Sequence, residues 1–340
     1  MPLLDTLGRP LRSLRLSVTD RCNLRCHYCM PEDEYLWLPR EDVLTFEEIS
    51  RLADLFGEFG VDRIRLTGGE PLLRRNLPDL IRQLSAKPWV RDLALTTNGV
   101  LLAEHAAELR GAGLHRLTIS VDTLRRDRFQ RLARLDGLPA VLAGIDAARR
   151  TGFTGTKIDA VITRADNDDE LVDLIEFGKQ VSAEVRFIEY MDVGGATRWR
   201  PEAVVSRVEM LARLSDHYGP ISAVDEVSSA PADRFRLPDG TTFGIISSTS
   251  QPFCRTCDRA RLTADGVFLL CLYAQHGTDL RRPLRAGASP DTLRNLLRAV
   301  WESRADRGAE ERRSTRDRGS YIPITVLKRD AHLEMHTRGG

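Results

Sequence analysis

Six strand-like runs, at about 14–19, 62–66, 92–96, 116–121, 156–162 and 184–189, alternate with helical patterns along the first two thirds of the chain. Parallel strands need a crossover between them, so this rhythm confines the segment to βα units around a parallel sheet. Six units are fewer than the eight of a closed barrel. The expectation is an open, incomplete (β/α)6 barrel of TIM-like curvature, although the periodicity alone equally allows a doubly wound sheet. Thr45-Phe46-Glu47-Glu48 opens one intervening helix as a capping box, and the amphipathic pattern carries that helix through Phe59.

The carboxyl ends of such strands are where loops meet without exposing the core. Each candidate polar motif falls there: Asp20 to Pro31 after the first strand, Gly68-Gly69-Glu70-Pro71 after the second, and Thr96-Thr97-Asn98-Gly99 after the third. Ser120-Val121-Asp122 follows the fourth, and Glu189-Tyr190-Met191 the sixth. Five loops on one rim make one site. Beyond about 225 the alternation stops. Pro231 to Ser248 reads as a hairpin turning at Asp239-Gly240, and a second turn falls at Asp265-Gly266, so we place a boundary between a 1–225 core and a 226–340 α+β extension. Residues 304–320 are charge-dense and nearly free of apolar side chains, which predicts a solvated loop or one disordered without ligand.

Within the first loop, Cys22, Cys26 and Cys29 are spaced C-x3-C-x2-C. Iron–sulfur clusters are ordinarily held by a full set of thiolates, so three leave one iron open, as open catalytic metal sites do. Zinc loops usually bring four ligands. A c-type haem would need C-x-x-C-H, but Met30 follows Cys29. Cys254, Cys257 and Cys271 form a second set that is again one short of four. Zinc is the competing reading there, with His276 as an unusual fourth ligand. We read the set as a second 4Fe-4S cluster. Six cysteines in two such groups argue against disulfides.

A net charge of +1 argues against a general polyanion surface, hence against nucleic acid. The lack of a long apolar run or a secretory leader predicts no membrane span and a cytoplasmic protein. Only Lys87, Lys157, Lys179 and Lys328 are lysines among 50 basic residues, and Lys157 lies in a strand, where it can point into a site. Arg15 and Arg65 also lie in strands with apolar alternate neighbours, so they put positive charge inside the barrel. Arg259 and Arg261, at i and i+2 around Ala260, share a strand face, and guanidinium forks suit phosphate.

The C-x3-C-x2-C loop with Gly68-Gly69-Glu70-Pro71 resembles the radical S-adenosylmethionine (SAM) enzymes. The resemblance implies that SAM binds the open iron and is reductively cleaved to a 5'-deoxyadenosyl radical, with Tyr28, Gly69, Ser120 and Met191 contacting SAM. More narrowly, Asp20 through Pro31, Arg65 to Pro71, Phe187 to Asp192, Cys254 to Arg261 and Cys271-Leu272 resemble, essentially end to end, the GTP 3',8-cyclases (protein A family) of molybdenum cofactor biosynthesis. That likeness implies two 4Fe-4S clusters and GTP bound by Arg15, Arg65, Thr96, Lys157 and the Arg259, Ala260, Arg261 segment. It further implies an external low-potential electron donor, a downstream cyclic pyranopterin monophosphate synthase, and a monomer or homodimer. Gly339-Gly340 matches the family's tail, which reaches into the site, but Arg338 stands where isoleucine is usual. The alternatives are a radical SAM peptide-modifying enzyme with an auxiliary cluster, and a non-catalytic metal-binding protein.

Overall fold

All six expected strands form: β1 Ser13–Ser17, β2 Arg63–Thr67, β3 Asp92–Thr97, β4 Arg116–Ser120, β5 Lys157–Ile162 and β6 Glu184–Glu189. The computed structural model describes residues 3–226, 228–316 and 318–339. The six strands lie side by side in chain order and pair in parallel. A doubly wound sheet would reverse that order at a switch point. The order does not reverse, which leaves the incomplete barrel.

Six further strands extend both edges: β7 Ser222–Ala223, β8 Asp233–Arg236, β9 Thr242–Ile246, β10 Arg259–Leu262, β11 Val267–Leu269 and β12 Thr278–Asp279. Strand β9 adds in parallel to β6, and β10 adds in parallel to β1. The hairpins β8–β9 and β10–β11 then turn antiparallel, with their turns at the two Asp-Gly pairs. The C-terminal strands therefore flank the barrel, and residue 225 falls between β7 and β8, which pair with each other.

Seven helices cross between and follow the core strands: α1 Phe46–Glu58, α2 Leu77–Ser85, α3 Leu102–Gly111, α4 Arg126–Ala133, α5 Leu138–Arg150, α6 Leu171–Gln180 and α7 Arg207–Tyr218. Both capping-box bonds of α1 are made, Thr45 accepting from the Glu48 amide and Glu48 from the Thr45 amide. Strand residues alternate between faces. Leu14, Leu16, Ile64, Leu66, Leu93, Leu95, Leu117, Ile119, Ile158 and Phe187 are fully buried in the apolar core. Each such side chain contributes about 1.5–3 kcal/mol of burial. The opposite face keeps Arg15, Arg65, Thr96, Thr118, Lys157, Asp159 and Arg186 for the lumen, where they line a cavity.

The last third of the chain adds α8 Arg281–Arg285, α9 Pro290–Glu302 and α10 Gly308–Arg313. Here the expected solvated loop holds in part: 313–316, 319 and 320 are exposed, but 308–313 is helical and three arginines of the stretch are anchored. Arg304 is buried and donates to the Cys257 carbonyl at 2.9 Å, while its guanidinium lies over the Trp301 ring. Arg312 and Arg318 bond the buried carboxylate of Asp192. Partners distant in sequence neutralise these three arginines, which local charge density did not reveal.

Candidate active site

A cavity of about 440 Å3 fills the lumen, lined from the amino ends of the strands to the loops at their carboxyl ends. Cys22, Cys26 and Cys29 line it, and so do Cys254, Cys257 and Cys271. All six are free thiols. The first trio sits on the loop leaving β1, and the second reaches the same space because β10 pairs with β1, Ser13 opposite Arg259 and Arg15 opposite Arg261. Sheet register thus brings together two cysteine sets more than 200 residues apart.

The first loop is held by backbone. The Gly69 amide donates to the Thr19 carbonyl at 3.0 Å and the Glu70 amide to the Arg21 carbonyl at 2.7 Å. Gly68 has φ +144°, and a Cβ there would lie 2.2 Å from the Thr19 carbonyl oxygen. A Cβ on Gly69 would lie 2.3 Å from the Arg21 carbonyl oxygen. The glycine pair is therefore required for the β2 loop to lie against the cysteine loop. Glu70 closes this corner, accepting from the amides of Leu72 and Asn98 and from the Thr97 hydroxyl, and burial pushes its carboxyl up to about 7.

The thiols fit cluster ligation. Sulfur atoms of Cys22, Cys257 and Cys271 already face donors: the Leu24 amide at 3.5 Å, Arg259 Nη2 at 3.3 Å and the Tyr273 amide at 3.4 Å respectively. Such N–H to sulfur bonds are among the levers that tune iron–sulfur centres. Burial raises the thiol pKa of Cys22, Cys26 and Cys29, so these need a metal's charge to ionise. Cys257 differs: burial pushes it up, but Arg259 and Arg304 outweigh that and bring it down to about 7. Among the described residues no three His, Cys, Asp or Glu side chains converge to hold one metal ion. A cluster of several irons accepts thiolates set farther apart. His276, the fourth ligand that zinc would need, is exposed and does not line the cavity.

Tyr28, Gly69, Ser120 and Met191 line the same cavity as the first trio. Tyr28 donates to Asp122 at 2.8 Å, and Asp122 also accepts from the Val161 amide. Burial pushes the Asp122 carboxyl up to about 6. Deeper in the lumen, Arg15, Arg65, Thr96, Lys157, Arg259 and Arg261 line the walls. Arg65 donates to Thr96 at 3.2 Å and Thr118 at 2.8 Å. Burial, then the neighbouring cations Arg186 and Arg116, bring Lys157 down to about 8. Burial and Arg259 bring Arg261 to about 10. Cations crowded out of water until their pKa values fall form a site for a polyanion.

Ala260 does not join them. Alternation turns its side chain to the other face, where it is fully buried in the core, so only its backbone is offered. Arg63, Arg116, Asp159 and Arg186 also line the cavity and were not singled out, although the alternation that marked Lys157 marks Asp159 as well. The tail enters the site too. Arg261 Nη1 donates to the Arg338 carbonyl at 3.1 Å and to that of Gly339. Arg338 is buried, donating from Nη1 to the Leu272 carbonyl at 2.7 Å, so the arginine in place of isoleucine ties the tail to the Cys271 loop. Gly340 lies outside the described residues.

Comparison with known proteins agrees. The Radical SAM superfamily matches residues 16–178, and Molybdenum Cofactor Synthesis C matches residues 183–310. GTP 3',8-cyclase 3 of Mycobacterium bovis is 57% identical over 343 residues, spanning 100% of this chain and 91% of that protein. GTP 3',8-cyclase 1 of Mycobacterium tuberculosis is 55% identical over 340 residues, spanning 99% and 95%. The GTP 3',8-cyclase of Acidothermus cellulolyticus is 49% identical over 321 residues, spanning 92% and 89%. In fold, the chain is similar to Streptococcus suis SuiB bound to S-adenosylmethionine, with TM-score 0.61 at 15% identity, covering 90% of this chain and 68% of that one. Joined to the barrel and its two cysteine sets, these end-to-end likenesses establish that the chain belongs to the GTP 3',8-cyclase family of the radical SAM superfamily.

Proposed function

We propose that this chain converts GTP to (8S)-3',8-cyclo-7,8-dihydroguanosine 5'-triphosphate, joining ribose C3' to guanine C8, in the first step of molybdenum cofactor biosynthesis. The observation that carries this reading is the convergence of two three-thiol sets and a ring of buried cations on one cavity. Cys22, Cys26 and Cys29 would hold one 4Fe-4S cluster, and Cys254, Cys257 and Cys271 a second. When bound at the first, SAM supplies a 5'-deoxyadenosyl radical on one-electron reduction. Tyr28, Gly69, Ser120 and Met191 would hold SAM on the rim. Arg15, Arg65, Thr96, Lys157, Arg259 and Arg261, with the Ala260 backbone, would hold GTP, its triphosphate among the cations and its purine toward the second thiol set. The 226–340 extension carries that set and the tail.

The protein's task is to hold C3' and C8 in a reactive pose and to exclude water. The tail, tied to Leu272 through Arg338 and to Arg261 through Gly339, would help exclude water. A peptide-modifying enzyme has no use for the cation ring, and a non-catalytic metal protein none for the cavity. Among the described residues no helix is long and apolar enough to cross a membrane. The enzyme would work in the cytoplasm with an external low-potential electron donor and hand its product to a cyclic pyranopterin monophosphate synthase. Anaerobic reconstitution with iron and sulfide, followed by SAM, dithionite and GTP, tests the reading. Deoxyadenosine and a cyclised nucleotide are expected together, and absence of both rejects it.

A further inference from the structure

Strand β5 presents Lys157, Asp159 and Val161 in succession to the cavity. Asp159 pairs in register with Ser120 on β4 and with the cation Arg186 on β6, two residues nearer the rim than Lys157. Its carboxylate feels Arg186, Arg65, Arg15 and Lys157, yet its Oδ1 is buried with no hydrogen-bond partner among the described residues. A carboxylate here subtracts from the field that a triphosphate needs, and an unmet buried acceptor is costly. Phosphate oxygens only accept, so they cannot satisfy it. What meets Asp159 must donate.

Three donors are at hand when nucleotide and SAM are bound: guanine N–H groups and the two riboses. Alternate residues on a strand stand roughly 6.6 Å apart, about the distance from phosphate to sugar, and Lys157 is Asp159's neighbour on the phosphate side. Lys157 on β5 and Arg186 on β6, the cations next to Asp159 along and across the sheet, put it beside the phosphate-bearing end of the nucleotide, where the sugar follows. We infer that Asp159 is a substrate-contacting residue that accepts hydrogen bonds from the ribose hydroxyls of the bound nucleotide. The inference rests on GTP being the substrate.

Calorimetry on the anaerobic two-cluster holoenzyme tests it, comparing GTP with 2',3'-dideoxy-GTP in wild type, Asp159→Asn and Asp159→Ala. Loss of a charged acceptor lowers the preference for GTP over the dideoxy nucleotide by about tenfold in Asp159→Ala. The dideoxy nucleotide itself binds more tightly there, because a repelling charge is gone. Asp159→Asn, a neutral acceptor of the same shape, falls between, and SAM affinity stays within about twofold. An unchanged preference overturns the inference alone. Weakened SAM binding with that preference intact assigns the carboxylate to SAM's ribose and overturns it too. A wild-type holoenzyme that binds neither nucleotide refutes the GTP reading along with it.

Discussion

Replacing Asp192 by Ala should release the segment that covers the second thiol set while leaving the barrel folded. Asp192 is fully buried at the end of β6 and accepts from the Tyr273 hydroxyl at 2.9 Å, Arg312 Nε at 2.9 Å, and Arg318 Nε at 2.9 Å and Nη2 at 3.1 Å. The arginine side chains are only 14% and 12% exposed. Removing one partner of a buried pair costs about 3–5 kcal/mol. Both guanidiniums can swing outward to water, so the lower figure, about 3 kcal/mol, applies, or roughly a 100-fold shift in local opening. Helix α10 rides on this anchor, and a Cβ on its Gly308 would lie 3.2 Å from Cys271 Sγ, so opening uncovers that thiol. Hydrogen–deuterium exchange should accelerate about 100-fold in 308–316 and leave β2 to β4 unchanged. Burial raises the Asp192 pKa, but bonds from Arg318, Tyr273 and Arg312 outweigh that and hold it below its usual value. The anchor is therefore intact above the ordinary carboxylate range and lost as pH falls through the depressed value. Unchanged exchange in 308–316, or an equal rise throughout the barrel, would refute the reasoning.

Gly69→Ala should unseat the first cysteine loop, since its Cβ meets backbone 2.3 Å away. We expect a loss of more than about 2 kcal/mol by denaturant titration and about half the bound iron, and near-neutral behaviour contradicts the packing. Glu334 is buried with Oε2 unpartnered, and burial and then Glu32 push it up to about 7. A raised folded pKa means its stability is present below the unfolded value and lost as pH rises through about 7. Glu334→Gln should then gain up to about 3 kcal/mol relative to wild type by pH 8 and nothing at pH 4, and parallel melting curves across pH reject this. Arg259→Ala should raise the Cys257 thiol above about 7, shifting the pH midpoint of its alkylation upward in metal-free protein, and an unmoved midpoint dismisses Arg259 as the cause.

The βα rhythm was legible because helix and strand periods differ, and all six strands and the Thr45 capping box lie where the pattern put them. The cysteine sets were legible as chemistry, but their meeting was not, because it depends on β10 docking in register beside β1. Alternation already turned the Ala260 side chain away from Arg259 and Arg261, and it lies in the core, leaving only its backbone toward the cavity side. Asp159 and Arg186 were readable by the same alternation, since each lies between buried apolar neighbours on its strand. Residues 304–320 were opaque for a different reason: Arg312 and Arg318 answer to Asp192, 120 and 126 residues away. No local composition reports such a partner.

Iron and sulfide content with Mössbauer spectra, on anaerobically reconstituted wild type, Cys22→Ser and Cys254→Ser, tests the central claim of two three-thiol cluster sites most directly. Two four-iron clusters predict about eight irons per chain in wild type and about four in each variant, with one iron per cluster lacking a protein thiolate. Stoichiometric zinc, or a single cluster lost equally in both variants, would contradict it.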